Sequence, residues 1–453
     1  MSMSESKTNR GDEPPPSSAR RRVQLTYLLI AAAILHVSVT FFVFLIGRYQ
    51  LLPSQVYATG IGRFASDGVF YQAQVVELGG VLNSRGFIAW LTWPTQLHVR
   101  LYSLPLTLVS RWVGFNVLTI EPLNLIYYLA ILFFVFKIGE AIFGYKGGLT
   151  AALIVGLWPS LLLHTTQLLR DPLLILSFLT VIWCLVQLIE ISFSWQRLLL
   201  LSLASIVALV TIRIVRLPMW YVTIAAIAVA IIFFAIRAIQ QRSFHGSAIA
   251  FALLLTGAAI IIPRFGPYFQ NQQVLGQPRI IEPQAEETLP IEQQLYGRRE
   301  AFKYRLDEEG KQSAAEDGSR IDSDVRLDSP GAIIRQVPRA LEIGFFAPFP
   351  NMWLNRGKQI GASGRLISGF ETLLTYVLES MALIGMWWQR KNLAAWLLTF
   401  VIGGGAVSLG LAVNNMGALY RLRYPFWILL ATLGAGGLNF LWRRFKVHQS
   451  AAT

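Results

Sequence analysis

Long apolar runs, each closed by polar or basic residues, follow one another along most of this chain. The first extends from Val23 to about Gly47. Later runs fall near 120–138, 148–164, 172–192, 197–212, 217–236, 246–263, 371–388, 393–413 and 425–442. Their lengths lie close to the roughly 17 to 25 residues with which an α-helix crosses a bilayer core. The pattern predicts an all-α polytopic membrane protein of about ten transmembrane helices. It also predicts amphipathic outer-face helices in the first loop and a large outer loop.

The ends of the runs set an orientation. Residues 1–22 form a polar tail with Pro14, Pro15 and Pro16, closed by Arg20, Arg21 and Arg22; it is expected to be disordered and cytoplasmic. The run after it is longer than the apolar core of a cleaved signal peptide and reads as an uncleaved first helix. The short loops expected on the cytoplasmic side are all basic: Lys137 and Lys146; Arg197; Arg237 and Arg242; Arg390 and Lys391; then Arg443, Arg444 and Lys446. That alternation follows the positive-inside rule and places both termini in the cytoplasm. It requires His98–Gly114 to lie on the outer membrane face, because one more crossing there would invert every later loop. The organisation is then a 1–22 tail, a 23–263 transmembrane region with a first outer loop at 48–119, and a 264–370 extracytoplasmic loop. The last helices occupy 371–442, with a cytoplasmic tail at 443–453. The apolar stretch Ile333–Trp353 in the large loop is read as packing, against docking on the membrane or capping a cavity.

Composition agrees: 54% of residues are hydrophobic and 14% charged, where a soluble domain carries about 25% charged residues. The net charge of +14 sits at the ends of apolar runs rather than on one soluble face, so nucleic acid is not an expected partner. Cys184 is the single cysteine, which excludes an intrachain disulfide and a cysteine-based zinc site. No Walker phosphate loop, G-x-G-x-x-G, H-E-x-x-H or G-x-S-x-G motif occurs, and the histidines are not spaced as a metal cluster.

Ionisable groups at membrane depth cost roughly 2.5–3.5 kcal/mol on insertion scales, so each is a functional candidate. The set expected at outer helix ends is Asp67, His98, Arg170 with Asp171, Arg213 with Arg216, and Arg421 with Arg423. Interfacial arginines also snorkel and pair with adjacent acids. A cavity gathering several arginines and two carboxylates suits a phosphate-bearing ligand, since guanidinium forks match phosphate oxygens. Glu379 is a further costly charge with no assigned role.

On these residues the chain resembles the GT-C superfamily of membrane glycosyltransferases, the group of protein O-mannosyltransferases and bacterial aminoarabinose transferases. Asp67-Gly68-Val69-Phe70-Tyr71 is similar to the family's D-E-x-x-Y element, with Gly68 in place of the second acid. His98-Val99-Arg100-Leu101-Tyr102, leading to Gly114, resembles its next outer segment without the prolines. Pro122 to Lys146, Trp158-Pro159-Ser160 and Leu169-Arg170-Asp171-Pro172 follow the family's order. Tyr420-Arg421-Leu422-Arg423-Tyr424-Pro425 is similar to its R-Y-x-x-P element. The likeness covers about residues 60–190, and the rest only as a pattern of helices.

The resemblance implies a bacterial inner-membrane enzyme that moves a sugar from a polyprenyl-phosphate donor to a glycan, lipid or protein acceptor on the outer face. It implies Asp67 and Asp171 as catalytic residues, Asp67 as general base. Tyr71, His98, Arg100, Arg170, Arg213, Arg216, Arg421 and Arg423 become substrate-binding. No cofactor is implied, and the missing second acid leaves a divalent metal unsupported. Two other readings stay open: a non-enzymatic transporter or assembly subunit for exported polysaccharide, and a polymerase or ligase of lipid-linked oligosaccharide. Asp67 also reads as an N-cap, and Arg170-Asp171 as an interfacial ion pair.

Overall fold

A segment without water must close its backbone hydrogen bonds internally, and the apolar runs do so as helices. The computed structural model describes residues 18–65, 67–190, 195–242, 245–265, 289–301, 304–306, 312–314, 320–353 and 361–452. The helices are α1 (Ser18–Arg48), α2 (Asp67–Thr92), α3 (Leu97–Val113), α4 (Val117–Gly156), α5 (Pro159–Thr165), α6 (Asp171–Glu190), α7 (Trp195–Val215), α8 (Leu217–Gln241), α9 (Gly246–Ile261), α10 (Ile291–Ala301), α11 (Pro330–Phe346), α12 (Gly361–Trp388), α13 (Leu393–Ala412), α14 (Met416–Leu422) and α15 (Tyr424–Ala452). A small antiparallel ribbon pairs β1 (Tyr304–Leu306) with β2 (Gln312–Ala314). Among the described residues, nine helices are long and apolar enough to cross a membrane: α1, α4, α6, α7, α8, α9, α12, α13 and α15. The protein is an all-α polytopic membrane protein. Its outer surfaces agree, for Phe42, Ile126, Leu199, Leu203 and Ile232 point away from the core, as lipid-facing positions do.

Two of the expected runs, 120–138 and 148–164, meet in α4. Gly144 has φ 77°, a left-handed conformation that glycine adopts without cost, and the chain reverses there. A Cβ at Gly139 would lie 2.8 Å from the Cα of Gly148, and Tyr128 Oη donates to the carbonyl of Gly156 at 2.5 Å. The two legs are therefore antiparallel neighbours, and the second continues through α5. At the start of α4, Asn116 accepts from Leu118 N at 2.8 Å while Thr119 Oγ1 accepts from Asn116 N, closing a reciprocal cap.

α6 is the most enclosed span and packs against α4, α7 and α8. α15 packs along α12 and α4. The register Leu378 with Gly434 and Met381 with Gly437 advances in the same sense on both helices, so α12 and α15 run parallel, their backbones brought close by glycine. α3 is a 17-residue helix outside the nine. It buries Val99, Tyr102 and Leu106 on one stripe and exposes Leu108 and Trp112 on another, the amphipathic pattern expected of the first loop.

One expectation needs correction. Arg20–Arg22 belong to α1 rather than to a disordered tail, because Tyr145 Oη donates to Arg21 O at 2.7 Å and docks the first turn on α4; residues 1–17 lie outside the described residues. The second half of the 264–370 segment carries α11. α11 lies along α13, where a Cβ at Gly344 would collide with Ala406 and one at Gly410 with Ala340. The stretch from Ile333 is thus packed against a spanning helix, while much of 264–319 lies outside the described residues.

Candidate functional site

Three chain segments meet at one end of the bundle. Asp67 opens α2, Asp171 opens α6, and Arg421 lies in the short α14 before α15. Arg421 Nη2 donates to Asp67 Oδ2 at 2.6 Å, across 354 residues of sequence. Its Nε lies 3.4 Å from Asp171 Oδ2, and Arg216 Nη1 donates to Asp171 Oδ1 at 3.2 Å. The order Asp67, Arg421, Asp171, Arg216 is a ladder of alternating charge. Asp171 and both arginines are largely enclosed, whereas the Asp67 side chain keeps 38% of its surface open. Burial disfavours the Asp67 carboxylate, but Arg421 and then Arg170 outweigh it, and the acid lies below its ordinary value.

Arg170 stands beside this ladder, within electrostatic reach of Tyr71, Asp171 and Asp67. Among the described residues its guanidinium makes no hydrogen bond or ion pair. Three guanidiniums against two carboxylates leave this group of five side chains with one positive charge. Tyr71 is buried and meets His98 edge-on, ring centroids 4.4 Å apart. His98 is 2% exposed with Nε2 buried and unpartnered among the described residues. Burial, reinforced by Arg170, drives its pKa down to about 3, so the ring is neutral at ordinary pH.

The loop carrying Arg170 is held by a buried polar layer. His36 Nδ1 bonds Glu121 Oε1 at 2.7 Å and His36 Nε2 bonds Thr165 Oγ1 at 3.1 Å, while Thr40 donates to Glu121 Oε2 at 2.7 Å. Tyr102 Oη donates to Asn124 Oδ1 at 2.6 Å and lies 3.1 Å from Leu169 O. Gln167 Oε1 accepts from Gly62 N at 2.8 Å, clasping this loop to the turn that leads into Asp67. Buried polar groups without partners are expensive, so a fully bonded layer of this kind fixes one geometry.

The remaining expected residues go elsewhere. Arg100 Nη2 donates to Trp93 O at 2.7 Å and its guanidinium lies over the Trp90 ring, in the α2–α3 corner. Arg423 Nη1 donates to Ala347 O at 2.7 Å and Phe345 O at 3.3 Å, tying α11 to the start of α15. Arg213 is buried in the last turn of α7. Asp171 is held by Arg216 and Arg421, not by its neighbour Arg170, and among the described residues the Asp67 carboxylate bonds Arg421 rather than its own helix. Both simple readings, local ion pair and helix cap, are displaced by long-range pairing.

Sequence reasoning passed over a neighbouring group. Glu371 Oε1 accepts from Ser160 N at 2.7 Å, and Tyr420 donates to its other oxygen. His164 Nδ1 bonds Ser160 O at 2.7 Å and Tyr424 Oη at 3.0 Å. The only signal for His164 was a polar residue closing an apolar run. Among the described residues no cluster of three or more His, Cys, Asp or Glu is placed to hold a metal. In comparisons with known proteins, no family model and no curated sequence matches this chain.

Proposed function

We propose that the protein is a membrane glycosyltransferase of the GT-C kind, taking a sugar from a polyprenyl-phosphate donor on the outer face of the cell membrane. The observation that carries this reading is the Arg170 guanidinium, uncommitted among the described residues beside an open carboxylate. A phosphodiester supplies the single negative charge that the group lacks, and a guanidinium binds it through a two-pronged donor set.

The chemistry follows from the same neighbours. The oxygen of an acceptor hydroxyl attacks the anomeric carbon, on the face opposite the phosphate. The bond from that carbon to the phosphate oxygen breaks, and its electron pair leaves with the lipid phosphate. Arg170 stabilises the charge gathering there. Asp67 takes the hydroxyl proton and later returns it to water. Arg421 keeps Asp67 ionised and ready, at the expense of some basicity; general-base assistance is typically worth about 10²–10⁴ in rate. A transporter would need a polar path at mid-bilayer. Along α6 the residues that follow Asp171 include Ile175, Phe178, Leu179 and Ile182, all buried and apolar, and this favours transfer over passage.

The test is transfer of radiolabelled sugar from a short-chain polyprenyl-phosphate hexose by the purified protein in nanodiscs. Asp67→Asn is expected to bind donor and lose about 10²–10⁴ in rate. Arg170→Gln is expected to weaken donor binding itself. Donor binding that is indifferent to Arg170→Gln would defeat the proposal.

A further inference from the structure

The cluster beside the ladder contains one nitrogen that the fold leaves open. His164 closes α5, and its Nδ1 lies 2.7 Å from Ser160 O. A carbonyl only accepts, so Nδ1 carries the proton and Nε2 carries the lone pair. Tyr424 Oη, 3.0 Å from the same Nδ1, holds the ring from a second side. Phe64 meets it edge-on with centroids 5.4 Å apart. Among the described residues Nε2 makes no hydrogen bond, and the residue is half-buried rather than enclosed like His98.

The walls around the ring place it at the site. Phe64 precedes Asp67 by three residues and Tyr424 follows Arg421 by three. Arg421 and Asp171 are both within electrostatic reach of the ring. The ring is thus a fixed, neutral acceptor beside an arginine and an aspartate that form an ion pair with each other. Such an acceptor does not attract phosphate; it receives an O–H.

We infer that His164 Nε2 accepts a hydrogen bond from a hydroxyl of the sugar carried by the donor, so that the site has an anion pole at Arg170 and a hydroxyl pole at His164. This rests on the proposed polyprenyl-phosphate donor and adds what reads its headgroup. A site built to bond a hydroxyl rejects an analogue lacking it more strongly than an apolar pocket of the same shape does.

The experiment is footprinting of the intact protein in nanodiscs with diethyl pyrocarbonate at pH 7, read by mass spectrometry. The reagent acylates an open, neutral imidazole nitrogen. His164 is expected to react, as is the exposed His448. His36, with both ring nitrogens bonded, and His98, with Nε2 buried, are expected to be spared. Polyprenyl-phosphate hexose should protect His164 at least about 3-fold better than the same polyprenyl phosphate without sugar, with equal occupancy of each checked by native mass spectrometry. In His164→Gln the sugar-bearing lipid should bind about 3- to 10-fold more weakly, and the bare lipid unchanged. An unreactive His164 would overturn the inference, as would equal protection by the two lipids. Bare-lipid binding that depends on Arg170 alongside equal protection leaves the phosphate reading standing and removes this one; absence of binding by either lipid removes both.

Discussion

Arg421 serves two carboxylates from two helices with different nitrogens of one guanidinium, Nη2 toward Asp67 and Nε toward Asp171. Lysine offers one compact ammonium and cannot span both. Arg421→Lys is therefore expected to remain folded yet lose at least about 10-fold in transfer or donor binding. Arg421→Met leaves two carboxylates short of a cation and should cost several kcal/mol, since breaking a buried pair typically costs about 3–5 kcal/mol. Thermal unfolding of both variants in one detergent separates the two outcomes. His98 supplies a pH prediction. Its pKa is depressed to about 3 in the folded protein, against about 6.5 for a free histidine. Between those values the unfolded chain binds more protons, so the His98 contribution is full above pH 6.5 and is lost progressively as pH falls toward 3. The wild-type protein should lose stability more steeply than His98→Phe between pH 6.5 and 4; parallel curves would contradict the buried neutral ring. Much of the residue scale was legible beforehand. Charges at helix ends pointed to Asp67, Arg170, Asp171, Arg216 and Arg421, because membrane depth makes such groups conspicuous. Arg100 and Arg423 were equally conspicuous and serve backbone carbonyls instead. Their partners come from packing, which spacing along the chain does not encode.

At the scale of elements, apolar length was enough to find the spans but not to show how closely they approach. Gly148 sits against the carbonyl of Phe136 and the amide of Glu140, so a Cβ there strikes backbone that cannot swing aside. Gly148→Ala is expected to destabilise by about 1–3 kcal/mol, the usual cost of overpacking. Gly437→Ala, facing Met381 O across the α12–α15 contact, should behave alike, since small residues let membrane helices touch through their backbones. Gly80 in α2 provides the control: nothing lies within 4 Å of a Cβ placed there. Gly80→Ala should be neutral or stabilise by up to about 1 kcal/mol through helix propensity. Melting temperatures in a common detergent check all three, and a destabilising Gly80→Ala would count against the register of α2. The reversal at Gly144 was visible in sequence only as a break between two runs near basic Lys137 and Lys146. The layer built on His36, Glu121, Asn124 and Gln167 was not visible at all. It unites residues from α1, α4 and the α5–α6 loop, and none has a local pattern that predicts the others.

For the whole molecule, the decisive feature is how charge divides between the two ends of the bundle. The short loops opposite the site hold Lys137 and Lys146, Arg197, Arg237 and Arg242, and Arg390 with Lys391, followed by Arg443, Arg444 and Lys446. At the site end, Arg216 and Arg421 are engaged with Asp171 and Asp67, and Arg423 with carbonyls. Cationic short loops stay in the cytoplasm because moving them across the membrane is unfavourable. The ladder and Arg170 should then face the outside, and a donor lipid would have to present its phosphate in the outer leaflet. Two single-cysteine proteins test this, both carrying Cys184→Ala so that the one native thiol, itself buried, contributes nothing. Ser54→Cys lies beyond the end of α1, and Lys391→Cys lies in the α12–α13 connection, both at exposed positions. In intact cells an impermeant maleimide should label Ser54→Cys and spare Lys391→Cys until the membrane is opened. The reverse pattern would turn the site toward the cytoplasm, where a nucleotide sugar rather than a lipid-linked one would be at hand. In that case the ladder would keep its geometry, and the proposed donor would have to be abandoned.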